Sequence, residues 1–105
     1  MHDRLYAFSM ASVTIYTRRW CGYCTVALRL LAHKGVAFEE IDTTGNHELR
    51  RWLADVTAGR TTVPQIFIDG RSIGGYDQLK ALDRTGELDR MLQRSSSGSG
   101  VSSSG

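Results

Sequence analysis

Apolar and polar positions along this chain fall into short blocks of different period. The run SVTIYT is β-branched and aromatic, and it predicts a strand over 13–16. CTVALRLLAHK consists of good helix formers and predicts a helix over 24–34, with Gly35 standing where a left-handed C-terminal cap belongs. VAFEEI reads as a second strand over 37–41; DTTGN breaks it, and Asn46 can cap the next helix. In that helix Leu49, Trp52, Leu53 and Val56 recur at i, i+3, i+4 and i+7, an apolar stripe expected in the core, while Arg50, Arg51 and Asp55 face the other way. The helix is expected to end near Gly59. VPQIFIDGRSI predicts two short strands, 65–68 and 71–73, turned by Asp69-Gly70, a strong hairpin signal. GGYDQLKALDRTGELDRML predicts two short helices divided at Thr85-Gly86, with Leu79, Leu82, Leu88, Met91 and Leu92 facing inward.

The order is β-α-β-α-β-β-α with a short C-terminal helix. Its opening βαβ unit implies parallel strands with a right-handed crossover, and the hairpin adds an antiparallel edge. The expected class is therefore α/β, a four-stranded mixed sheet flanked by helices. Three segments are expected: an N-terminal extension over 1–10, one folded domain over 11–94, and a Ser/Gly tail over 95–105 with the composition of a flexible linker.

Composition narrows the class of function. With 105 residues there is room for one domain, and 41% hydrophobic with 23% charged residues argues against disorder. The longest apolar runs are a few residues, too short for a membrane span, and MHDRLYAFS lacks the continuous apolar core of a secretory signal. The expected location is the cytoplasm. Net charge is +2 with the arginines dispersed, which argues against nucleic acid as the main partner. Two cysteines cannot build the disulfide framework of a secreted mini-protein, so they call for a chemical explanation.

That explanation lies in RRWCGYC. A Cys-x-x-Cys where a strand gives way to a helix sets the first sulfur at the helix N-terminus, where unpaired N–H groups and the helix dipole favour a thiolate. Arg18 and Arg19 add positive charge. Cys21 is thus expected to be the attacking thiolate and Cys24, one turn on, the more buried partner; a disulfide between them can close and reopen by exchange. Structural zinc wants four ligands, yet there is no second Cys-x-x-Cys, and His2, His33 and His47 are not spaced as a ligand pair. Inert buried thiols would need neither arginines nor such a junction. Pro64, the only proline, follows TTV just before a strand. A cis Val63-Pro64 bond would hold a turn with open main-chain groups opposite the cysteines, ready to pair with an extended thiol peptide. The alternative is a trans proline that merely starts the strand.

From Val13 to about Gln93 the chain resembles the small bacterial dithiol glutaredoxins, in VTIYT, CGYC, GRTTVPQIFIDG, IGGYDQL and ALDRTGELD. The resemblance implies a thioredoxin-like fold. It also implies reduction of protein disulfides and glutathione mixed disulfides by glutathione, which glutathione reductase and NADPH regenerate. Carried over by position, it makes Cys21 the nucleophile and Cys24 the resolving cysteine. Arg18 and, less directly, Arg60 would meet a glutathione carboxylate, and Tyr23 would line the groove. Val63 would pair with the cysteinyl part of glutathione, with Thr62 and Pro64 shaping the turn. Gly75, Tyr76 and Asp77 would receive the γ-glutamyl end at a helix start. Ordinary solvated charges are the bland alternative for Arg18 and Asp77.

Three positions depart from the family pattern: Gly22 where proline is usual, Trp20 before the site, and Tyr76 where many relatives have Cys or Ser. The expected partners are glutathione and disulfide-bonded or glutathionylated proteins, with no nucleic acid, no membrane and a monomeric apo form. The alternative function is an iron–sulfur carrier, in which Cys21 of two monomers and two glutathiones hold a [2Fe–2S] cluster in a dimer. Gly22 leaves room for it.

Overall fold

The computed structural model describes residues 11–98. The expected extension over 1–10 and the end of the tail, 99–105, lie outside the described residues. The described elements are β1 (Val13–Thr17), α1 (Gly22–His33), β2 (Glu39–Asp42), α2 (His47–Val56), β3 (Gln65–Ile68), β4 (Arg71–Gly74), α3 (Tyr76–Arg84) and α4 (Glu87–Gly98). The predicted order therefore holds. Several boundaries moved: α1 begins two residues earlier than expected and ends one earlier, β2 starts at Glu39 instead of 37 and runs to Asp42, α2 stops at Val56, short of Gly59, and β1 and β4 each run one residue further. Helix α4 continues four residues beyond the boundary expected at 94, since serine propagates a formed helix nearly as well as most residues do.

The sheet has the order β2-β1-β3-β4. β1 and β2 are parallel, β3 is antiparallel to β1, and β4 is antiparallel to β3 with a register shift between Ile66 and Phe67. The turn between β3 and β4 uses Asp69 and Gly70 at φ of 53° and 80°, as the Asp-Gly signal requires. Asp69 also ties the turn to the start of β1: its N–H donates to the Ser12 carbonyl at 2.8 Å, and its Oδ1 accepts from the Ser12 N–H at 3.0 Å.

Cross-strand partners share a face, so the register divides the sheet into two surfaces. Val13 with Ile68 and Ile15 with Ile66 point to one side. There they meet Ala27 and Leu31 of α1, Leu79 of α3, and Leu88 and Leu92 of α4 in one closed apolar cluster. Leu82 and Met91, expected to face inward, pack at its margin and are only partly buried. Lys34, just past α1, pins this layer from outside by ion pairs to Asp83 of α3 and to Asp89 of α4, the latter at 2.8 Å. Hydrogen bonds from Lys34 to those two carboxylates hold its ammonium above its ordinary pKa.

Thr14 with Phe67 and Tyr16 with Gln65 point to the other side, where α2 lies. The stripe predicted as core is only partly so: Leu53 is buried, but Trp52 and Val56 remain 44% and 42% exposed. No outer layer closes over α2 among the described residues. Trp52 instead lays its ring beside Tyr16 and Phe67, at centroid distances of 5.7 and 6.4 Å. His33 and His47 are exposed, as expected.

Candidate active site

Cys21 is the N-cap of α1, in an extended backbone conformation, and its Sγ accepts a hydrogen bond from the Cys24 N–H at 3.1 Å. This is the position that the strand-to-helix junction predicted. One of the free N–H groups of the helix start points at the reactive sulfur, and no acidic residue occupies the first turn to oppose it. Cys24 lies one turn inside and is 3% exposed. The two are joined as a disulfide, with their Cα atoms 5.2 Å apart. The structure is therefore the oxidised state of a dithiol pair.

The loop that carries Cys21 is anchored from β2. The Arg19 N–H donates to the Thr44 hydroxyl oxygen at 2.8 Å, and the Thr44 hydroxyl donates to Asp42 Oδ1 at 2.6 Å. The hydroxyl and the backbone N–H of Thr44 together hold the Asp42 carboxyl below the ordinary carboxylate range. Trp20 sits between this anchor and the cysteine, at a φ of 58° and 95% exposed. Tyr23 is exposed on the other side of Cys21.

Across from the cysteines the Val63-Pro64 peptide is cis, as expected. Cys21 Sγ lies 3.8 Å from the Val63 carbonyl oxygen. The turn from β4 into α3 closes on the same place: a Cβ added at Gly75 would stand 3.2 Å from the Pro64 carbonyl oxygen. Gly74 precedes it at a φ of 116°, which a side chain rarely tolerates. Gln78 Oε1 accepts from the Gly75 N–H at 2.8 Å and so caps the start of α3.

These segments enclose an open cleft of about 580 Å³. Of the residues singled out from the sequence, Arg18, Cys21, Tyr23, Arg60, Thr62, Val63, Pro64, Gly75, Tyr76 and Asp77 all line it, while Cys24 lies buried behind Cys21. Tyr76, the departure from the family pattern, stacks on Tyr23 at 6.2 Å between centroids, with the Lys80 ammonium 5.9 Å from its ring. Trp20, Gly22, Arg50, Thr61 and Gln78 complete the lining.

Arg50 is the residue that helical periodicity misplaced. It was expected on the outward face of α2, yet it lines the cleft with Arg18 and Arg60. Topology carries the signal that periodicity lacked. α2 follows β2, which runs parallel to β1, so its first turn is delivered to the same end of the sheet as the cysteine loop.

A family model described as Glutaredoxin matches residues 13–73. A glutaredoxin of Pseudomonas aeruginosa is 53% identical over 83 residues, spanning 79% of this chain and 98% of that one. Among solved structures, the glutaredoxin of Brucella melitensis superposes with a TM-score of 0.73 at 48% identity, covering 81% of this chain and 91% of that one. A buckwheat glutaredoxin solved as a glutathione complex superposes with a TM-score of 0.71 at 26% identity, covering 87% and 84%. The fold is thioredoxin-like, and Cys21 of a dithiol Cys-x-x-Cys pair lines its cleft. The chain belongs to the glutaredoxin family and is a thiol-disulfide oxidoreductase.

Proposed function

We propose that the protein is a glutathione-dependent reductase of protein disulfides and of glutathione mixed disulfides. The observation that carries this reading is the composition of one cleft. Beside Cys21 it offers the open backbone edge of Val63, with guanidinium groups of Arg18, Arg50 and Arg60 and the carboxylate of Asp77 in the first turn of α3. Glutathione is a short peptide with two carboxylates, one amino group and a central thiol. Such a ligand calls for a strand-like edge near the reactive sulfur, with cations and an acid or helix start to receive its charged groups. The buckwheat relative, described as a glutathione complex, supports the same substrate.

In the monothiol route the Cys21 thiolate attacks the glutathione sulfur of a mixed disulfide. A Cys21–glutathione disulfide forms and the client leaves as a thiolate; a second glutathione thiolate then attacks the bound glutathione sulfur, yielding glutathione disulfide and free Cys21. In the dithiol route Cys21 attacks a protein disulfide, and Cys24 attacks the Cys21 sulfur of the resulting mixed disulfide. The client is released fully reduced and the Cys21–Cys24 disulfide remains, to be reduced by two glutathiones. Glutathione reductase acts indirectly, by regenerating glutathione. The proposed setting is the cytoplasm, with the apo protein as a monomer.

The [2Fe–2S] alternative draws on Gly22, beside which an added Cβ would meet nothing within 4 Å. No group of three or more His, Cys, Asp or Glu gathers among the described residues, so a cluster would take Cys21 from this chain and its other ligands from elsewhere. An open loop serves substrate entry equally well, and the redox reading is preferred.

The test follows one glutathione mixed disulfide with glutathione plus glutathione reductase, against thioredoxin reductase plus NADPH. Turnover is expected with the first couple; turnover with the second alone would overturn the reading. Cys21→Ser should abolish both routes. Cys24→Ser should spare deglutathionylation, and loss of that activity as well would overturn the assigned roles.

A further inference from the structure

Gln65 opens β3 directly after Pro64, and it is fully buried. Its Nε2 donates to the Thr62 carbonyl oxygen at 2.9 Å, while its Oε1 has no partner among the described residues. Burying an amide and leaving its oxygen unmatched is unfavourable compared with an apolar side chain of the same size. Filling space is thus a poor account of this residue. The orientation is not arbitrary either, since a flipped amide would set two carbonyl-type oxygens against each other.

The consequence lies one bond further on. The Thr62 carbonyl and the Val63 N–H belong to one planar peptide group, and in a trans peptide they point in opposite directions. Among the described residues only the Val63-Pro64 bond is cis, so the Thr62-Val63 bond is trans. A carbonyl drawn into the protein by a buried amide therefore turns the Val63 N–H away from it. No acceptor takes that N–H among the described residues, and Val63 lines the cleft.

We infer that Gln65 is a positioning residue for the substrate-pairing edge: by holding the Thr62 carbonyl, it fixes the peptide plane that presents the Val63 N–H to the backbone of the bound thiol peptide. The inference rests on the proposed pairing of Val63 with glutathione and extends it to a side chain that never touches the substrate. Gln65 is needed for binding and not for the reactivity of the cysteines.

Gln65→Met keeps the volume and removes the donor. It is expected to raise KM for the glutathione mixed disulfide of a short cysteine peptide about 3- to 10-fold, the worth of one hydrogen bond. The kcat should stay within about twofold, and alkylation of reduced Cys21 by iodoacetamide should keep its wild-type rate. Gln65→Glu supplies a pH signature. The introduced carboxyl can donate to Thr62 only when protonated, so KM relative to the wild type at the same pH should fall back as the pH is lowered. An unchanged KM in both variants overturns the inference, as does a loss in kcat and alkylation that matches the loss in KM, which would mean general loosening. If the wild type itself shows no glutathione-dependent turnover, the proposed function fails first.

Discussion

The two faces of the sheet differ in how they are closed and in what they contribute. On one, Val13, Ile15, Ile66 and Ile68 meet apolar residues of three helices and are sealed from water. On the other, Tyr16 and Phe67 meet one helix, whose Trp52 stays half exposed among aromatic rings. The helices of the sealed layer reach the cleft only at their starts, where Cys21 caps α1 with Cys24 buried one turn in, and Tyr76 and Asp77 begin α3. The open face supplies Arg50 to the cleft, and the connection out of α2 supplies Arg60 and the Thr62–Pro64 turn. Thr57 steadies that connection, its buried hydroxyl donating to the Leu53 carbonyl at 2.6 Å and accepting from the Arg60 N–H at 3.2 Å. Stability is concentrated in the interior of the sealed layer, and the cleft is built at the starts of its helices and on the open side, where packing is loose enough to admit polar groups.

The widest gap between the faces should appear on truncation. Leu31→Ala opens a cavity in the sealed cluster, at a site that is fully buried, and is expected to cost about 2–5 kcal/mol in urea unfolding. Trp52→Ala removes a larger side chain, yet one already half in water, and is expected to cost only about 1–2 kcal/mol. Equal losses would erase the contrast. Arg50→Ala sharpens it from the functional side. Stability should stay within about 0.5 kcal/mol, as for an exposed substitution, while KM for a glutathione mixed disulfide rises. A stability loss comparable to that of Trp52→Ala would make Arg50 part of the packing.

How much the sequence disclosed follows the same division. Elements of the sealed face are legible because a closed core imposes one period on each: Leu79, Leu88 and Leu92 were expected inward and are buried. The cysteine pair and the Val63-Pro64 turn were legible because each residue there has few structural reasons to exist. The stripe on α2 was misread as core because periodicity reports which residues share a face, and not how many layers will cover it. Arg50 was missed for a related reason, since a charge on the polar side of a helix looks solvated until topology brings that end of the helix to the cysteine loop. Gln65 gave no signal at all. A polar residue at the start of an apolar strand reads as an edge, and only the hydrogen bond to Thr62 reveals its role.

The smallest expected effect lies at alkaline pH, where each face holds one group whose proton stabilises the fold. Burial, assisted by the charge of Glu39, pushes the Tyr16 hydroxyl above its ordinary 10.0. On the sealed side, the bonds to Asp83 and Asp89 push Lys34 above its ordinary 10.5. Both folded values are raised, so both contributions are complete below the unfolded values and are lost as the pH climbs through the folded ones. The oxidised protein, in which neither cysteine titrates, should therefore show a melting temperature that falls as the pH climbs past the ordinary tyrosine and lysine values of 10.0 and 10.5. Tyr16→Phe removes a group that titrates and leaves the ring, so it should flatten the early part of that fall without lowering the melting temperature at neutral pH. Lys34→Met removes the clamp itself, so it should melt lower at neutral pH and flatten the later part. If Tyr16→Phe alone abolishes the whole dependence, the clamp contributes nothing measurable and the sealed face owes its stability to its apolar cluster alone.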